Sequence, residues 1–71
     1  MHVSGEILSV LMDNFTDTGA TRPQLKVAVT ERYTQRGIAA PKNNTMNQAI
    51  KRMVESDRLV ERGQRFTLPK D

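Results

Sequence analysis

Lys51 and Arg52 stand side by side in the stretch from Asn43 to Asp57, Asn-Asn-Thr-Met-Asn-Gln-Ala-Ile-Lys-Arg-Met-Val-Glu-Ser-Asp. Asn47 and Gln48 precede them by four residues each, the spacing that makes neighbours on one helix face. Cations neutralise phosphate, and carboxamides offer a donor and an acceptor together, the combination that reads base edges. Further on, Arg62 and Arg65 flank a glycine-containing loop. The chemistry these residue types can do is polyanion binding. Catalysis is not expected, because it needs convergent groups in a concave site. The chain has no cysteine, its single histidine is His2 at the N-terminus, and Ser4, Ser9 and Ser56 have no nearby base in sequence. The carboxylates are scattered, half of them next to basic residues, and there is no glycine-rich phosphate loop. No metal or cofactor is expected.

The elements that must position these side chains follow from apolar spacing. Met46, Ala49, Ile50, Met53 and Val54 repeat as i, i+3, i+4, i+7, i+8, one buried stripe on a helix predicted over 44–56, with an Asn at its start to cap it. The first helix is predicted over 4–15. Ile7, Leu8, Leu11, Met12 and Phe15 would form its core face, Ser4 its cap, and Glu6 would sit at the favourable end of the dipole. The second helix is predicted over 22–36. Thr21 and Gln24 make a capping box, and Pro23 is tolerated in the first turn. Leu25, Ala28, Val29 and Tyr33 give its stripe, and Gly37 a stop. Ile38 is expected to pin the following loop to the core. Gly19 to Thr21 is expected to form a short strand. Two strands around Gly63 predict a hairpin at about 58–68, with Leu59, Phe66 and Leu68 facing the helices. Helix, short strand, helix, helix, hairpin is the order of a winged helix. The expectation is an α+β fold, a three-helix bundle with a C-terminal β-hairpin and a short strand between the first two helices.

Length and charge fit that expectation. The 71 residues allow one domain, 1–71, with little room for a deep pocket. No apolar run approaches the roughly 20 residues that span a bilayer, so no membrane partner is expected. The net charge is +3, unevenly spread. The first 20 residues carry Glu6, Asp13 and Asp17 and no Lys or Arg; the rest carry all 11 basic residues against five acids. A basic excess confined to the later elements favours a polyanionic partner.

The chain also resembles the globular domain of linker histones. Residues 18–33, Thr-Gly-Ala-Thr-Arg-Pro-Gln-Leu-Lys-Val-Ala-Val-Thr-Glu-Arg-Tyr, are similar to that family's second-helix entry. Lys42-Asn43-Asn44-Thr45 followed by Ile50-Lys51-Arg52-Met53-Val54 resembles its third helix, and Arg65-Phe66-Thr67-Leu68-Pro69-Lys70 its closing strand. The resemblance implies binding to duplex or nucleosomal DNA in the nucleus. It implies contacts on the third helix, with Lys51 and Arg52 matching the basic pair and Lys42 at the entry. It implies more on the wing, and a second basic surface at Arg22 and Lys26. The chain departs from the family pattern in five respects. Asn47 stands at an often basic position, Asp57 at a usual glycine, and Thr67 before Leu68 at a commonly basic one. The wing is short, and Glu55, Asp57 and Glu61 dilute the charge. The Lys/Ala/Pro-rich tails of linker histones are not in these 71 residues; the resemblance leaves two readings, a linker histone domain whose tails have been removed or, the preferred one, a linker-histone-like module of a larger chromatin or transcription protein.

The expected function is therefore double-stranded DNA binding with weak sequence preference, by a monomer. Lys51, Arg52, Arg62 and Arg65 would meet phosphates; Asn47 and Gln48 would reach base edges. The alternative is a protein-interaction winged helix within a chromatin or transcription factor, docking a protein partner through the same surface or through the acidic first helix.

Overall fold

The computed structural model describes residues 2–69. Its elements are α1 (Val3–Asn14), β1 (Ala20–Thr21), α2 (Arg22–Gln35), α3 (Asn43–Glu55), β2 (Val60–Arg62) and β3 (Arg65–Thr67). The strands form one antiparallel sheet in the order β1-β3-β2. Three helices with this small sheet make the expected winged-helix, α+β fold, and each helix boundary falls within one residue of its predicted place.

The helices start and stop for different reasons. α2 has both halves of the predicted capping box: Gln24 N–H donates to Thr21 Oγ1 at 3.3 Å, and Thr21 N–H donates to Gln24 Oε1 at 2.9 Å. The other two predicted caps are not found. α1 is entered from His2 and α3 from Lys42, neither with a side-chain cap, so Ser4 and Asn43 lie inside the first turns. At the far ends, two helices close with the same motif. Gly37 N–H donates to Thr34 C=O and Ile38 N–H to Tyr33 C=O, both at 3.0 Å. Asp57 N–H donates to Val54 C=O at 3.1 Å and Arg58 N–H to Met53 C=O at 2.8 Å. This paired closure needs a left-handed residue after the helix. Gly37 supplies it at φ 71 without cost; Asp57 supplies it at φ 61 with a Cβ in the way.

The core takes three residues from each helix: Ile7, Val10 and Leu11; Leu25, Val29 and Tyr33; Met46, Ile50 and Met53. Ala20, Leu59 and Phe66 complete it, and Leu68 packs against it from one side. Two expected core positions are corrected. Met12 is 63% exposed, because it lies about 140° round α1 from Ile7 and misses the stripe, whereas Val10 is fully buried. Ile38 is 45% exposed; the loop after α2 is held by its backbone bond to Tyr33, not by its side chain.

The sheet hangs on Phe66, which faces Ala20 on one side and Glu61 on the other. β2 and β3 are joined by Gly63-Gln64, with positive φ at Gly63 alone, the pattern of a type II′ turn. Gly19 lets β1 pass close to β3. A Cβ built there would lie 2.8 Å from the Phe66 carbonyl oxygen and 2.6 Å from Thr67 Cγ2.

Two stability outcomes follow. Ile50 and Leu11 are fully enclosed, so truncating either to Ala should cost about 2–5 kcal/mol in chemical denaturation; a loss below about 1 kcal/mol at both would contradict this core. Asp57→Gly should raise stability by about 0.5–1 kcal/mol, by removing the left-handed strain and an acid beside the negative end of α3. A fall in the denaturation midpoint would contradict the assigned closure.

Candidate nucleic-acid interface

The capping box fixes where α2 begins, and so fixes Arg22, its first residue, beside β3. The Arg22 guanidinium carbon lies 5.2 Å from the centroid of the Phe66 ring. At that range the positive group is held by the negative face of the ring. Arg22 Nη1 also donates to Asn47 Oδ1 at 3.3 Å, linking the start of α2 to α3.

Three shallow grooves meet at Arg22, two of them along α3. One, of about 340 Å³, runs between α3 and the hairpin; Asn47, Gln48 and Lys51 form its helical wall and Phe66 part of its base. The other, of about 360 Å³, runs between the N-terminal ends of α2 and α3 and is lined by Lys26, Asn43 and Asn47. Arg22, Lys26, Asn47, Gln48 and Lys51, far apart in sequence, are thus brought together, all exposed. Glu55 and Glu61 also line the first groove and weaken its positive field.

The remaining candidates lie around this centre. Lys42 is the exposed residue from which α3 starts. Arg52 is exposed on α3 about 100° round from Lys51, outside all three groove linings. Arg62 and Arg65 pair across the end of the hairpin. Side chains alternate along a strand, so both arginines lie on the sheet face opposite Phe66. Arg65 Nη1 donates to the Gly19 carbonyl at 3.4 Å, which holds it along β1.

The basic residues on the other side of α2 have a different role that sequence reasoning missed. Arg32 Nη1 donates to Ser9 Oγ at 2.6 Å and Nη2 to Asp13 Oδ2 at 2.7 Å, and Nη1 lies 3.9 Å from Glu6 Oε2. Arg36 Nη1 donates to Glu6 Oε1. Glu6 is therefore a packed ion-pair partner, beyond its place at the helix dipole, and its Oε2 is buried with no hydrogen bond. The signal was present: Glu6, Ser9 and Asp13 follow a helical spacing along one edge of the α1 stripe, and Arg32 and Arg36 are four apart. These ion pairs neutralise acids of α1 and leave the basic excess to the far end of α2, α3 and the hairpin.

Among the described residues, no group of three or more His, Cys, Asp or Glu could hold a metal ion. Among the same residues, no helix is long and apolar enough to cross a membrane. The sheet on a three-helix bundle, with amides and cations on the exposed face of the third helix, defines a winged-helix domain of the DNA-binding class. The model of the linker histone H1 and H5 family matches residues 3–65, and the chain belongs to that family. No curated protein and no solved structure matches it. The linker histones are a non-enzymatic family, and membership implies binding to DNA in chromatin.

Proposed function

We propose that residues 1–71 act as one domain that binds double-stranded DNA, free or in a nucleosome, in the nucleus, as a monomer and with weak sequence preference. The supporting observation is the convergence of Arg22, Lys26 and Lys51 with Asn47 and Gln48 where α2, α3 and the sheet meet. Arg22, Lys26, Lys42, Lys51 and Arg52 meet phosphates along the helices, and Arg62 and Arg65 meet phosphates from the hairpin. Asn47 and Gln48 reach base edges with α3 in the major groove. Cations outnumber carboxamides in this set. Phosphate contacts carry no sequence information, so affinity is expected to vary little between sequences.

The test is fluorescence anisotropy with two unrelated duplexes at several salt concentrations, on variants whose folding is checked by circular dichroism. Lys51→Ala/Arg52→Ala should weaken binding similarly on both duplexes. Each lost phosphate contact should also reduce the magnitude of the log K against log salt slope by about 0.9. Arg36→Ala should leave the slope unchanged, because Arg36 is engaged with Glu6 at the other end of α2. Wild-type binding by the double variant, or no duplex binding by the wild type at low salt, would refute the proposal. The latter result would favour a protein partner on this face.

A further inference from the structure

The bond between Arg22 and Asn47 decides which end of the Asn47 carboxamide is offered to a ligand. A guanidinium has donors and no acceptor, so the Asn47 atom that faces Arg22 must be the oxygen. Oδ1 accepts from Arg22 Nη1 at 3.3 Å, and the guanidinium itself is held over the Phe66 ring at 5.2 Å. The oxygen end is thus tied back to the start of α2. The Nδ2 group has no acceptor among the described residues and stands at the rim of both grooves along α3.

An unrestrained Asn singles out adenine by using both ends at once: its oxygen accepts from N6 and its NH2 donates to N7. One lone pair of the oxygen is taken by Arg22 and that end is turned toward α2, so Asn47 presents its donor to a base edge and cannot bring oxygen and NH2 together onto one adenine. Every base pair shows at least one acceptor in the major groove: N7 and O6 of guanine, N7 of adenine, O4 of thymine. A donor alone therefore finds a partner on any sequence.

We infer that Arg22 is a positioning residue that holds Asn47 as a donor-only contact, turning a side chain suited to reading adenine into one that accepts any base pair. This rests on the proposed function, with α3 in the major groove, and names the residue that keeps its readout neutral.

Arg22→Met keeps an apolar stem over Phe66 and removes the donor. In the free protein, the ¹⁵N–¹H heteronuclear NOE of the Asn47 side-chain amide should exceed that of exposed Asn44, and in Arg22→Met it should fall to the Asn44 level. For binding, the readout is the ratio of affinities for two duplexes of equal length, one all A·T and one all G·C, at fixed salt. Wild type and Asn47→Ala should show the same ratio. Arg22→Met should shift the ratio toward the A·T duplex by about fivefold or more, the low end of what a bidentate adenine contact discriminates. That shift should vanish in Arg22→Met/Asn47→Ala. A merely structural role for Arg22 would weaken both duplexes alike and leave the ratio unchanged. If wild type binds duplex and the ratio does not move in Arg22→Met, or moves equally in the double variant, the inference fails alone. If folded wild type does not bind duplex at all, the proposed function fails and takes this inference with it.

Discussion

Phe66 is the constraint on which the rest of the structure depends. It sits on the central strand, paired with Ala20 and Glu61, and is almost wholly buried among the helices. Its backbone holds three strands in register and its ring fastens that sheet to the bundle. A sheet of two- and three-residue strands has too little pairing to stand alone, so its stability comes from this burial. The outward face of the same ring carries the Arg22 guanidinium. Packing and recognition therefore share one side chain: the ring that closes the core also aims the first residue of α2 at α3.

Charge is divided across the molecule by helix α2. Its C-terminal half gives Arg32 and Arg36 to the acids of α1. Its N-terminal half gives Arg22 and Lys26 to the grooves beside α3. The hairpin adds a pair that stability alone would not favour. Arg62 and Arg65 face each other across the ladder, and like charges in that relation are mildly destabilising. On the proposed function, a phosphate between or beside them relieves that repulsion. Glu55 and Glu61 act in the opposite sense, lowering the positive field of the groove next to Lys51.

Much of this was legible in the sequence where one residue type has one structural use. The Thr21–Gln24 capping box, Gly37 and Gly63 each marked a boundary, because few residues satisfy those backbone demands. Apolar spacing placed all three helices. The misses came where several solutions share one pattern. Met12 stands four residues after Leu8 and so fitted one apolar stripe, but the stripe that is buried runs through Ile7, Val10 and Leu11, and Met12 lies off it. Ser4 and Asn43 are good caps by type, yet α1 begins two residues and α3 one residue earlier than those caps required. Asp57 read as a departure from a family glycine. The fold shows the physical demand behind that glycine, a left-handed closure that Asp57 meets under strain. Of the candidate site, residue types were legible but not their grouping. Nothing in the sequence says that Arg22 reaches Asn47, 25 residues away, or that Arg62 and Arg65 lie on the far face of the sheet.

The central claim is that the surface around Arg22, shared by α2, α3 and the sheet, is where duplex DNA docks. Its most direct test is a titration of the ¹⁵N-labelled domain with a short duplex at low salt, followed by amide chemical shifts. The account predicts that the largest shifts fall on Arg22, Lys26, Asn47, Gln48 and Lys51, with a second set on Arg62 and Arg65, while Glu6, Ser9, Asp13 and Arg32 stay still. Shifts concentrated on the α1 face, or no shifts with a folded domain, would contradict it.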